Sequence, residues 1–141
     1  MNISLILSYL STINLPKVTT VGHAAFDNCT ALTTITLPEV VTVDDRAFYA
    51  CAALTKADFG KVETLGEKTF YDDSALKTVI LRNTETVCAI DSTAFNLCGD
   101  SFYIYVPAAL LDSYTTTYSG STYSYFNTKF RAIESYPSIT G

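Results

Sequence analysis

At 141 residues the chain has material for one domain, and 48% hydrophobic against 16% charged residues excludes a chain held open by its charge. A formal charge of −5, with nine basic residues scattered along the sequence, excludes a surface built to release counterions from phosphates, so nucleic acid is not an expected partner.

The first ten residues are apolar. They lack a basic start and a small-residue cleavage site and are too short to span a bilayer, so they read as structure, and no membrane insertion is expected. An exported protein would owe its export signal to sequence outside this chain. Leu10, Ser11, Thr12, Ile13 and Asn14 occupy the place that Leu32, Thr33, Thr34, Ile35 and Thr36 hold further on, which makes residues 1–14 a half coil. With Ile3, Leu5, Ile6, Leu7, Tyr9 and Leu10 and no charge, this half coil either folds over its neighbour or leaves an apolar edge. The expectation is a homo-oligomer formed through the N-terminal end.

Residues 15–36, 37–58 and 59–80 align without gaps as three units of 22 residues. A fourth begins at Leu81, matches through Thr86 and Val87, and recovers at Ala94 and Phe95 after three extra residues placed around 88–92. Val18, Val40 and Val62 form one apolar column; Val21, Val43, Leu65 and Val87 form another. Phe26, Phe48, Phe70 and Phe95 recur together, as do Leu10, Leu32, Leu54 and Leu76, and Ile13, Ile35, Ala57 and Val79. A single unit cannot bury such a set, whereas stacked units place like on like and make one continuous core. The chain is therefore an α/β repeat solenoid, a right-handed stack of coils at 15–98 with a parallel β-sheet face, closed by a C-terminal cap at 99–141.

Within each coil, alternation at 34–37, 56–59 and 78–81 predicts a short strand, and Pro16 and Pro38 end strands. Gly22, Asp44 and Gly66 then mark a tight turn expected to need a positive φ. The Ala-Phe segment fits one helical or 3₁₀ turn. Thr20, Thr42, Thr64 and Thr86 face outward if their apolar neighbours face in, and β-branched stacking accounts for them better than a ligand array does.

Cys29, Cys51 and Cys98 each follow a column Phe by three residues, so they share a coil position and read as reduced core thiols. Equivalent Cβ vectors on adjacent coils run parallel, which disfavours disulfides, and zinc spacing is missing. Asp73 takes the cysteine position in the third unit. His23, with Asp45 and Glu67 as column mates, reads as a solvated turn residue, and the acid pairs Asp44-Asp45 and Asp72-Asp73 read as hydrophilic loops. No nucleophile, base and orienting group fall together in this register, so neither an enzyme nor a cofactor is expected.

Behind the coils the composition shifts, with seven of the ten tyrosines lying from Tyr103 onward. Pro107 followed by Ala108, Ala109, Leu110, Leu111 and Tyr114 suits a short helix with Pro in its first turn and the apolar side chains on the last coil. Covering that coil is one role for the tyrosines. A carbohydrate-binding surface that includes Tyr118 and Tyr123 is the alternative.

The recurring Leu-Pro-x-Val-x-x-Val-Gly-x-x-Ala-Phe-x-x-Cys-x-x-Leu-x-x-Ile, fullest in residues 15–57, resembles the BspA-like, or Treponema-type, leucine-rich repeats. The segment from Tyr103 through Tyr114, and later Phe130 to Ile133, is similar to the stretch that closes many such proteins. The resemblance implies a secreted or cell-surface bacterial or protist protein, with no catalytic residue to carry over. It also implies adhesion to a protein ligand, such as a host or matrix protein. The predicted contact surface is the outward side of the strands. Its candidate partner-binding residues are Thr34, Thr36, Lys56, Asp58, Thr78 and Ile80, with Ile80 an exposed apolar residue; the alternative is a merely solvated sheet.

Overall fold

A computed structural model of the protein describes residues 9–140. Each of the first four coils contributes one strand to each of two parallel sheets, and two later strands join the first sheet alone. The first sheet has six strands in the order β1 (Thr12–Asn14), β3 (Thr34–Leu37), β5 (Lys56–Phe59), β7 (Thr78–Leu81), β9 (Tyr103–Val106) and β10 (Phe130–Ala132). The second has four, β2 (Thr20–Val21), β4 (Thr42–Val43), β6 (Thr64–Leu65) and β8 (Ala89–Ile90). The predicted strands at 34–37, 56–59 and 78–81 form in register, Ile35 facing Ala57 and Ala57 facing Val79. The ladder does not stop at residue 98, where the periodicity fades. β9 and β10 extend it in parallel through the tyrosine-rich region.

Between the sheets, identical columns make the core. Phe26, Phe48, Phe70 and Phe95 stack with ring centroids 5.3, 5.6 and 5.3 Å apart, and Phe102 continues the pile at 5.1 Å. This spacing follows from the strand repeat of about 4.8 Å, which sets the distance between coils. Leu10, the first member of its predicted column, is 41% exposed, because it lies at the end of the described stack. The self-association expected of the N-terminal end rests mostly on Ile3, Leu5, Ile6 and Leu7, which lie outside the described residues.

The Ala-Phe segment is neither a helical nor a 3₁₀ turn. Its amides alternate: those of Ala24, Phe26 and Asn28 donate to the carbonyls of Asp45, Ala47 and Tyr49 in the next coil, at 3.0, 2.8 and 2.8 Å. Those of Ala25, Asp27 and Cys29 donate three residues back along their own coil. The alternation is made by left-handed residues, which turn their N–H groups along the stack. They are Ala24 and Asn28, Arg46 and Ala50, Lys68 and Asp72. The positive φ expected at Gly22, Asp44 and Gly66 thus falls two residues later. Gly66 is small for another reason: a Cβ there would sit 2.7 Å from the amide nitrogen of Asp45.

The three extra residues of the fourth unit also lie elsewhere than the sequence suggested. Arg82 and Asn83 still bond the preceding coil at the old spacing, Arg82 N–H to the Phe59 carbonyl and Asn83 Nδ2 to the Lys61 carbonyl. From Ala89, which pairs with Thr64, the offset is 25 residues. The insertion is therefore absorbed within 83–86, where Asn83 Oδ1 accepts the amides of Glu85 and Thr86. Thr86 drops out of the threonine column and Ala89 takes its place, and Val87 likewise leaves the column of Val21, Val43 and Leu65, where Ile90 pairs with Leu65.

The predicted helix after Pro107 forms as a 3₁₀ turn, Ala108–Leu110, running into the helix Leu111–Thr117. Its Tyr114 is fully buried.

Candidate binding face

The outward side of the six-stranded sheet presents two rows. Thr12, Thr34, Lys56, Thr78 and Tyr103 align in the first. Asn14, Thr36, Asp58, Ile80, Tyr105 and Arg131 align in the second. The strand pleat sends alternate residues to opposite faces, so Thr34, Thr36, Lys56, Asp58 and Thr78 share one surface, all of them half-buried among their neighbours.

Ile80 does not join that surface as an exposed contact. It points outward yet is fully buried, because the end of the chain folds across it: Ile133, Ile139 and Tyr105 close over Ile80 in a small cluster separate from the main core. Tyr136 packs edge-on against Tyr105 at 5.0 Å. Arg82 fastens the crossing, its Nε and Nη2 donating to the two carboxylate oxygens of Asp58 at 2.8 and 3.0 Å, and Nη2 also to the Ile139 carbonyl at 2.7 Å. Asp58 is thus committed to an ion pair within the chain. At the far edge of the sheet, on β10, Arg131 lies over the Tyr103 ring at 4.5 Å. The face is open and polar over β1, β3 and β5 and at Thr78; the tail covers its second row at Ile80 and Tyr105, while Tyr103 in the first row stays 38% exposed.

Sequence reasoning missed Arg82, Tyr105, Tyr136 and Ile139. The one legible signal was Arg82 standing where earlier units have Pro16, Pro38 and Gly60.

The cysteines are free and buried. Cys51 Sγ donates to the Phe26 carbonyl at 3.1 Å and Cys98 Sγ to the Phe70 carbonyl at 2.9 Å, while burial pushes both thiol pKa values up. Cys88, just ahead of β8, is fully buried, and burial holds its thiol pKa up at about 12. A thiol that stays protonated is a poor nucleophile and metal ligand. Asp73, read from sequence as part of a hydrophilic loop, is also fully buried.

The tyrosines of the carbohydrate alternative are used internally. Tyr118 is 4% exposed, its hydroxyl donating to the Cys88 carbonyl at 2.5 Å and accepting from the Ile90 amide at 2.7 Å. Tyr123 lies edge-on against it at 4.9 Å. An open recess of about 520 Å³ beside them is lined by Asp45, Glu67 and Asp91 among others. Among the described residues no group of three or more acidic, histidine or cysteine side chains is placed to hold a metal ion.

Six copies of the BspA type leucine rich repeat region match the chain across residues 6–136. The chain belongs to that family. No curated protein matches it significantly. The BspA type repeats reach past β9 and β10, in keeping with a ladder that continues into the tyrosine-rich region. A BspA type repeat protein is a scaffold of the kind generally used for protein–protein interaction, and the scaffold type is non-enzymatic. Among the described residues no helix is long and apolar enough to cross a membrane.

Proposed function

We propose that this BspA type repeat protein is displayed at a cell surface or secreted, and that it adheres to a protein ligand, a host or matrix protein, through the open part of its sheet face. The observation that supports the reading is the grid of Thr12, Asn14, Thr34, Thr36, Lys56 and Thr78 on rigid, in-register strands. Such a surface loses little conformational entropy when a partner docks, since the strands are already fixed by the stacked core behind them. Its mixture of hydroxyls and one cation suits a polar protein surface.

Immobilised matrix proteins supply the test. Thr34→Arg with Thr36→Arg places bulk and charge on the grid without entering the core. Capture of at least one matrix protein by the unaltered chain, weakened about tenfold or more in the variant at an unchanged melting temperature, is expected. Equal capture by both chains would move the contact elsewhere, and capture of none would remove adhesion to matrix proteins.

A further inference from the structure

The covered part of the sheet face is filled by the chain's own tail. Three observations converge on it. First, the second outward row runs Asn14, Thr36 and Asp58 and then changes character at Ile80, placing an aliphatic side chain where the preceding coils are polar. Second, the segment over Ile80 enters by only a few side chains. Ile133 and Ile139 are buried, Ser135, Pro137 and Ser138 face solvent, Tyr136 is 39% exposed, and the exposed Glu134 accepts the Ala108 amide through its carboxylate. These contacts form a cluster apart from the main core, so lifting the tail leaves the stacked columns intact. Third, Arg82 binds the tail through a backbone carbonyl, that of Ile139, while Asp58 holds its guanidinium in place. A main-chain contact is open to many sequences; the apolar contacts at Ile80 and Tyr105 are what select.

We infer that the Ile80–Tyr105–Arg82 surface takes a segment of the protein partner with apolar residues spaced as Ile133, Tyr136 and Ile139 are, and that the tail is an internal competitor the partner displaces. The inference rests on the reading that the sheet face binds protein. It adds the chemistry of the bound segment and a means of regulation. Polar residues of the open grid would meet the partner first, and the apolar segment would then replace the tail beside them. Occupation by the tail lowers the apparent affinity by the fraction of chains in which the site is closed.

The probe is a fluorescent peptide with the sequence of residues 131–141, titrated by anisotropy into the full chain and into a full-length variant with Tyr136→Ser and Ile139→Asp. Neither substitution touches the main core, and an unfolding midpoint close to that of the unaltered chain verifies this. The peptide should bind the opened variant at least about tenfold more tightly than the unaltered chain, and Ile80→Ser added to the opened variant should abolish the gain. Equal binding to both chains, or none to the folded, opened variant, would overturn the proposal. Neither result would affect the open grid, which the capture experiment tests separately. A concentration-dependent dimer of the full chain that the opened variant cannot form would also overturn it, by assigning the segment to a second copy.

Discussion

Asp73 replaces a thiol in a column otherwise made of Cys29, Cys51 and Cys98, and the replacement disturbs a repeating bond. In the first, third and fourth coils the amide at this position donates to the carbonyl of the column Phe, but the Cys51 amide goes instead to Asp73 Oδ1, at 2.8 Å. The other carboxyl oxygen is buried without a hydrogen-bond partner. Burial, with smaller opposing and reinforcing contributions from the Cys51 amide and Asp72, raises its pKa from 3.8 to about 9. Folding therefore takes up a proton here at neutral pH. Because the folded value is the higher one, the contribution of this group to stability is fully present below about pH 4, shrinks as pH rises and is lost by about pH 9. Urea unfolding from pH 4 to 9 should accordingly show the unaltered chain losing stability relative to Asp73→Asn, which cannot titrate. A constant difference between the two across that range would contradict the assignment. Asp73→Cys restores the column, since a thiol there can donate to the Phe48 carbonyl as Cys51 does to that of Phe26. It should stabilise the chain by about 1–3 kcal/mol at pH 7, the usual cost of a buried unsatisfied polar group.

The second sheet ends at β8, whose backbone faces the cap without a further strand. Two tyrosine hydroxyls stand in for one. Tyr114 accepts the Cys88 amide at 2.9 Å, and Tyr118 takes both the Cys88 carbonyl and the Ile90 amide. Their rings meanwhile pack on Phe126 and Phe130, so one side chain covers apolar core with its body and satisfies a sheet edge with its tip. Tyr118→Phe keeps the ring and strips the hydroxyl, leaving two buried backbone groups unpaired. It should cost about 2–4 kcal/mol in urea unfolding, against about 1–3 kcal/mol for Tyr114→Phe, which frees one. Equal, small losses would mean that water reaches the edge of β8. Elements of this kind mark the limit of what the sequence made legible. The strands β3, β5 and β7 and the apolar columns of the first three units follow from periodicity, because each position there answers to the same neighbour one coil away; the helix after Pro107 follows from a proline in its first turn with apolar residues behind it. The placement of the insertion did not, since hydrogen bonds made by Asn83 set it rather than any column. The cap tyrosines looked like a free surface because their partners, Cys88 and Ile90, belong to another element. Alternation correctly turned Ile80 outward, but what covers it is a tail roughly fifty residues away, joined to it by no repeat.

The whole molecule is a row of units, each of which buries its apolar side only against the next, so its stability is the sum of coil terms and interface terms. Phe70 belongs to two interfaces, stacking on Phe48 at 5.6 Å and on Phe95 at 5.3 Å, and it also touches Phe59. Phe26 stacks on Phe48 alone among the described rings and retains 8% exposure. Truncating the central ring removes contacts from both sides and opens a cavity that rigid neighbouring coils cannot close, which corresponds to about 3–5 kcal/mol for a buried Phe. Phe70→Ala should therefore destabilise by that amount, and Phe26→Ala by less. The distribution of the loss distinguishes a coupled stack from independent coils. If the interfaces carry the stability, Phe70→Ala lowers hydrogen-exchange protection at the inter-coil amides of both flanking coils, those of Phe48 and Asp91 included, whereas Phe26→Ala leaves Asp91 protected. Loss of protection confined to the coil that bears the substitution would show that each unit holds itself together. It would also remove the rigidity on which a preformed binding face depends.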